Sequence, residues 1–236
     1  MVFPIFGSYP CNTTVPLALD SQETSATGHN SISSPLTWPF NNASGTLLLV
    51  GVTVNCATET AAPSVSAVTY NGAAMTLVPG AVISTFSGPF SGSFLGIYYL
   101  LNPTKGTNTV SVTFAGPADS SYLDAICGAV SFRGTSPISP VGNSATASNV
   151  TGSSTTATVT VPDTTSGDFV VSLVATGTSV SGATAPTTVT WLENVSGSDG
   201  GDNAAMGQQS SGGGSVSPTY TVTADFWYIV AVEVFA

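Results

Sequence analysis

Residues 43–54, ASGTLLLVGVTV, contain a strand-sized run that is apolar at both odd and even positions. Because successive side chains of a strand point to opposite faces, this run predicts a strand that is covered on both sides. Residues 165–176, TSGDFVVSLVAT, and residues 226–235, FWYIVAVEVF, follow the same pattern. One cover would be a sandwich core. The other could be the second half of the chain, the N-terminal segment or another subunit.

The segments around these strands recur in the same order, which indicates two pseudo-repeated halves. VPLALDS, NTVSVTF and LDAICGAVSF in residues 15–133 are followed by PVGNSAT, PTYTVTA and FWYIVAVEVF in residues 134–236. Self-similarity at a fixed period marks a repeated structural unit. We therefore predict an extended N-terminal arm, residues 1–14, followed by these two halves. The sequence leaves open whether the halves form one continuous domain or two.

Short alternating segments with frequent turns indicate an all-β fold. Val110, Val112 and Phe114 alternate with Ser and Thr, as expected for half-buried antiparallel strands. Asn71-Gly72 separates two such segments and is typical of a two-residue hairpin turn. No segment has a sustained helical period. We predict an antiparallel β-sandwich, jelly-roll-like, with about seven strands in each half and almost no helix.

The composition excludes several classes of function. Only 6% of the 236 residues are charged, and the net charge is −10. Lys105 and Arg133 are the only basic residues, too few to neutralise a nucleic-acid backbone. No apolar run reaches the length of about 18 residues that a membrane-spanning helix needs. We expect neither nucleic acid nor membrane as a partner.

The N-terminal segment MVFPIFGSYPC is apolar but interrupted by Pro4, Gly7 and Pro10. It has no basic residue ahead of an apolar core, so it does not have the pattern of a secretory signal. We interpret it as an arm that docks on a neighbouring subunit. The side chains expected to make that contact are Val2, Phe3, Ile5 and Phe6.

No combination of residues indicates catalysis. His29 is the only histidine, and no G-x-S-x-G motif accompanies it. The 12 acidic residues form no pair with a distinctive spacing. We predict no enzymatic activity, no catalytic residue and no cofactor. Among the cysteines, a Cys11–Cys56 disulfide and inert thiols, Cys127 included, are both compatible with the sequence.

Two weaker binding sites are conceivable. Asp199, Asp202 and Asn203 lie among flexible glycines and offer oxygen ligands for calcium, although a simple polar turn explains them better. Trp38 and Trp191 could stack on a sugar ring. A place in the core is the favoured alternative for both, because Trp191 falls at the same place in its half as the aromatic Tyr70 in the first half.

Several segments carry a resemblance to a known family. VTYNGAAMTLV, IYYLLNPTKGTNTVSVTF and GAVSFRG, with the closing AVEVF, resemble a β-sandwich family found in bacterial surface proteins and in virion proteins of tailed phages. The resemblance covers most of the chain from residue 15 onward and includes no catalytic motif. It implies an architecture and little about function, because an analogy of fold does not carry function with it.

From these observations we expect a non-enzymatic virion protein on the exterior of a tailed phage. A capsid decoration, or cement, protein is the leading hypothesis. The alternatives are a component of the phage tail or fibre and a carbohydrate-binding adhesive module on a cell surface. The expected partners are copies of the chain itself, the major capsid protein and other virion proteins. In the adhesive alternative, the partner is a host-surface glycan.

Overall fold

The structure is a computed structural model that describes residues 15–24, 32, 34–56, 62–85, 92–115, 123–195 and 203–236. Within these ranges the chain forms β-strands and connections, without a helix. Every strand pairing is antiparallel. The prediction of an all-β, antiparallel sandwich with almost no helix is therefore confirmed.

The strands fall into two consecutive groups. The first group is β1 (Ala18–Thr24), β2 (Leu36–Asn42), β3 (Leu47–Cys56), β4 (Ser64–Tyr70), β5 (Ala73–Ala74), β6 (Thr76–Thr85), β7 (Gly92–Leu101), β8 (Gly106–Ala115) and β9 (Leu123–Arg133). The second group is β10 (Val141–Thr158), β11 (Val161–Thr164), β12 (Phe169–Thr176), β13 (Val180–Ala183), β14 (Thr188–Asn194), β15 (Asn203–Ser210), β16 (Gly214–Val216) and β17 (Thr219–Val234).

The strands build a stack of four layers. The outer sheet of the first group has the order β2-β8-β4-β5, and its inner sheet has the order β1-β9-β3-β7-β6. The inner sheet of the second group has the order β10-β17-β12-β15-β14. Its outer layer combines β13, the β11-β16 pair and the parts of β10 and β17 that pair there. The two inner sheets face each other in the middle of the stack.

Strand β3 shows how one sequence serves two cores. Leu48, Val50 and Val52 belong to the core between the outer and inner sheets of the first group, which also contains Trp38 and Phe40. Leu47 and Leu49 belong to the central core between the inner sheets. Burial of each such side chain contributes about 1.5–3 kcal/mol, so both faces of the strand stabilise the fold.

The central core contains residues from both halves of the chain. Ile97 and Ile126 of the first half share it with Leu173, Met206 and Val230 of the second half. All five side chains are fully buried. The second cover of the doubly apolar strand β3 is therefore the second half of the chain, one of the three possibilities that the sequence left open.

Two glycines allow the inner sheets to approach each other closely. Gly51 of β3 and Gly128 of β9 are direct cross-strand partners. A Cβ atom on Gly128 would lie 2.2 Å from Cε2 of Trp191, and one on Gly51 would lie 2.7 Å from Cε of Met206. No side chain fits in either place, so Trp191 and Met206 fill the space above the glycine pair.

A sharp bend lets β17 contribute to two layers. Residues Trp227 to Val234 pair with β12 in the inner sheet, whereas residues Tyr220 to Val222 pair with β13 in the outer layer. The partner strand β10 bends at the same height, where residues 150–153 interrupt the pairing between Asn149 and Ser154. The bend buries Tyr220 and Val222 on the outer face of the inner sheet.

The inner sheets of the two groups have matching strand orders. In each, the first strand of the group lies at one edge, beside the last, and the middle position is held by the doubly apolar strand β3 or β12. One expected correspondence is absent, because Tyr70 lies on β4 in an outer sheet and Trp191 on β14 in an inner sheet. The pseudo-repeat of the sequence stays a prediction.

Substitution of Gly128 tests the central contact. Gly128→Ala is expected to lower the free energy of unfolding by about 1–3 kcal/mol in urea titrations, because the methyl group collides with Trp191. Gly212→Ala is the control: its Cβ meets no atom within 4 Å, and we expect a change within about 0.5 kcal/mol. In the Gly128→Ala background, Trp191→Leu should cost less than it does alone. Strictly additive effects would contradict the contact.

Candidate docking surface

The molecule has two unlike ends. The connections after β2, β7, β9, β11 and β15 lie at one end together with the C-terminal residue Ala236, and we call this the base. The opposite end, which we call the far end, carries Asn55 of β3, Thr176 of β12 and the bend of β17. Val15, where the described chain begins, lies at the base.

Asp20 ties β1 to the connection between β2 and β3. Its carboxylate accepts hydrogen bonds from the backbone N–H groups of Ser44 (2.9 Å) and Gly45 (3.0 Å) and from the hydroxyl of Ser131 (3.1 Å). The Ser44 hydroxyl also donates to it. Burial alone would raise the pKa of Asp20, but these hydrogen bonds to the charged form together hold the pKa below its usual range.

Asn42 and Tyr70 hold the neighbouring turn between β7 and β8. The buried Asn42 amide donates to the carbonyl oxygen of Pro103 (3.1 Å). The single O–H of Tyr70 is shared between the carbonyl oxygens of Thr104 (3.1 Å) and Gly106 (3.0 Å). Backbone groups that leave a strand need partners, and these side chains supply them. The turn is thereby fixed to the outer sheet.

Two buried carboxylates hold the base of the second group. Glu233 accepts hydrogen bonds from the backbone N–H groups of Thr165 (2.8 Å) and Asn143 (3.3 Å). Asp168 accepts one from the N–H of Ala236 (2.8 Å). Both side chains are used to bind the backbone, which gives these acidic residues a structural explanation.

An open groove of about 290 Å³ lies on the base, where the chain enters β1. Gly134 has φ +73°, and a Cβ there would lie 2.4 Å from the carbonyl oxygens of Val15 and Pro16. The glycine therefore lets the start of the described chain lie against the connection between the two halves. The lining residues are Val15, Gly134, Thr135, Ser136, Pro137 and Ala236.

Two unusually exposed apolar side chains lie beside the groove. Ile138, next to the lining residue Pro137, is 91% exposed, and Val15 is 57% exposed. The connection that carries Ile138 is fixed, because Ser136 N–H donates to the carbonyl oxygen of Phe235 (3.1 Å). A large aliphatic side chain on a fixed connection needs no ordering of the backbone and gains from burial against a partner.

The two basic residues lie at the same end of the molecule. The only basic residues of the chain, Lys105 and Arg133, are both exposed at the base. At the far end the described acidic residues include Asp124, Glu193 and Asp225, all half-buried. The base also contains the carboxylates that hold its connections, Asp20, Asp168 and Glu233, so acidic residues lie at both ends and basic residues only at the base.

The far end contains a narrow cleft between the inner sheets. Asn55, Ala175, Thr176, Gly177, Phe226 and Tyr228 line it. Its free volume is about 10 Å³, which is room for one water molecule. A sugar ring does not fit in this cleft.

The structure places the predicted site residues as follows. Val2, Phe3, Ile5 and Phe6, as well as Asp199, Asp202, His29 and Cys11, lie outside the described residues. Asn203 is 3% exposed at the start of β15, and its amide donates to the carbonyl oxygen of Thr176 (3.5 Å). In the part of the chain that the structure describes, no three His, Cys, Asp or Glu side chains come together as metal ligands.

Both tryptophans considered for glycan stacking lie in cores. Trp38 is 4% exposed in the first core, and Trp191 is 5% exposed above Gly128 in the central core. Neither ring face is accessible to a sugar, so these positions favour the core alternative that the sequence also favoured. Cys127 is also buried, and burial raises the pKa of its thiol. Tyr98 beside it has its pKa raised to about 12, by burial and then by Cys127.

Comparisons with protein-family models, with curated proteins and with solved structures found no match to this chain. Among the described residues there is no helix with the length and hydropathy to span a membrane. The groove on the base was not anticipated from the sequence. Gly134, at the start of the second half, was a signal that could have directed attention to it.

The role of Asp20 predicts a dependence of stability on pH. Because its pKa is lowered on folding, its contribution is present above the pKa of the unfolded state and is lost as pH falls through the folded value. Asp20→Asn should lower the free energy of unfolding by about 1 kcal/mol at pH 7, and the difference from the parent protein should shrink below about pH 4. Glu23→Gln, an exposed site on the same strand, should change little. An equal effect of Asp20→Asn at pH 7 and pH 3 would contradict the assignment.

Proposed function

We propose that this protein is a non-enzymatic structural protein of a virion, namely a capsid decoration protein of a tailed phage that attaches through its base. The observation that carries the proposal is the groove on the base, with the exposed Val15 and Ile138 beside it. Attachment to a shell requires an exposed apolar contact held on a fixed support, and the base offers both.

The arm provides a second part of the proposed contact. Residues 1–14 precede Val15, which lines the groove. The apolar residues Val2, Phe3, Ile5 and Phe6 are therefore joined to the chain at the base. An extended segment spans up to about 3.3–3.6 Å per residue, so Phe6 could lie about 30 Å from Val15. Such a reach suits an arm that docks on a neighbouring capsid subunit.

The low charge of the remaining surface supports a role in an assembly. Only 6% of residues are charged, so Ser, Thr, Asn and Gly cover most of the exterior. The strands are joined into one stack by the central core. The described carboxylates Asp20, Asp168 and Glu233 are used to bind backbone groups. These features support a structural role over a hydrolase.

The adhesive alternative has less support. The two tryptophans expected to stack on sugars are buried, and the far-end cleft has room for about one water molecule. A tail or fibre location would use the same base and arm, so it differs from the capsid proposal only in the partner.

Electron microscopy of the particles that carry the protein tests the proposal. An antibody raised against the purified chain should label the icosahedral shell at regular positions. Labelling of the tail alone would contradict the capsid location and support a component of the tail. A chain that is absent from particles and retained on a glycan array would overturn the virion proposal.

Variants test the base itself. Ile138→Asp and deletion of residues 1–14 should each abolish cosedimentation of the purified chain with shells that lack it, because each removes apolar contact area. Val150→Asp is the matched control, since Val150 is 46% exposed at the far end. Equal loss with Val150→Asp, or unchanged attachment with Ile138→Asp, would contradict docking through the base.

A further inference from the structure

Strand β10 is an edge of the second inner sheet that carries neither a charge nor a proline, although bulges interrupt it near both ends of its first part, between Val141 and Ser144 and between Asn149 and Ser154. It is the longest strand, with 18 residues, and pairs only with β17 on one side. Its sequence, VGNSATASNVTGSSTTAT, contains no charged residue and no proline. Natural edge strands are normally short, charged, bulged or interrupted by proline, because an open edge pairs with other chains.

The other edges of the described sheets have such protection. β1 is 7 residues long and carries Asp20 and Glu23. β6 contains Pro79 and a register shift, and β2 contains Pro39. β14 is 7 residues long and carries Glu193. Among the described edge strands of seven or more residues, β10 alone has neither a charge nor a proline, and its only protection is its bulges.

The free backbone groups of β10 can be located. Phe235 N–H donates to the carbonyl oxygen of Pro140, so Phe235 and every second residue before it on β17 point to β10. These include Ala231 and Ile229, whose partners are Ala145 and Ala147. By alternation, the N–H and C=O groups of Ser144, Thr146 and Ser148 point away from β17. Within the described ranges, no strand pairs with β10 on that side.

The side chains beside these groups leave the edge accessible. Thr146 and Ser148 are exposed, and Ser144 donates a hydrogen bond from its hydroxyl to the carbonyl oxygen of Pro79 (2.8 Å). The open part of the edge therefore begins after Ser144. It ends before residues 150–153, where the interruption bends the strand away. This length suits a short antiparallel pairing.

We propose that β10 is a self-association edge, on which β10 of a second copy of this chain pairs antiparallel about a two-fold axis. The two inner sheets of the second group would join into one continuous sheet. The occupant is inferred from the charge: the chain has a net charge of −10, and the open residues 145–149 of β10 carry no charge, so two copies meet there without opposing carboxylates. Small neutral Thr and Ser side chains also match themselves across such a pair.

Sedimentation equilibrium of the purified full chain tests this proposal. The parent protein should form a dimer, and Thr146→Lys should raise the dimer dissociation constant by about tenfold or more, because like charges then meet across the axis. Thr109→Lys is the control with the same change in charge. Thr109 is exposed on β8, which is paired on both sides, and its dimer should persist.

A second variant separates pairing from charge. Thr146→Pro removes the outward N–H without removing a bond to β17, so it should also yield monomers while circular dichroism and the unfolding transition stay close to those of the parent. A parent protein that remains monomeric, or dimers that survive both changes at Thr146, would overturn the proposal. The test uses no particles, so its outcome is independent of the proposed attachment through the base.

Discussion

The contact between the two inner sheets is the interaction on which the rest of the structure depends. Gly51 and Gly128 leave a gap in the first sheet, and Trp191 and Met206 of the second half fill it. Neither inner sheet could face water on either side, because β3 and β12 are apolar on both faces. The first half alone would expose the apolar side chains that face the second half, at a cost of about 25 cal/mol per Å². The two halves therefore stabilise each other.

This arrangement determines where the chain can carry a binding surface. The faces of the four-layer stack are committed to packing or covered with Ser and Thr, so the ends and edges remain. At the base, Asp20, Asn42 and Glu233 bind the backbone of the connections and hold them in place. A connection held in this way can present an exposed Ile138 in one fixed geometry, which a partner can bury without first ordering it.

The sequence predicted the strands better than their partners. Alternation identified the half-buried strand β8, and apolar residues on both faces identified β3, because these patterns are local. Which element covers β3, and the burial of Trp191 above Gly128, depend on contacts between distant residues that no local pattern contains. The groove on the base was missed for the same reason. Val15, Gly134 and Ala236 are far apart in the sequence and meet only in the folded chain.

The low charge of the chain limits how its strand edges can be protected. With 6% charged residues, the protein has few carboxylates or lysines to place on its strand edges. It protects most edges by other means: Pro39 in β2, Pro79 in β6 and the short length of β1. The acidic residues that it has are used largely at the base and the far end. The 18-residue edge β10 has neither a proline nor a charge, and its bulges leave residues 145–149 as the open stretch, which is the length that the proposed pairing uses.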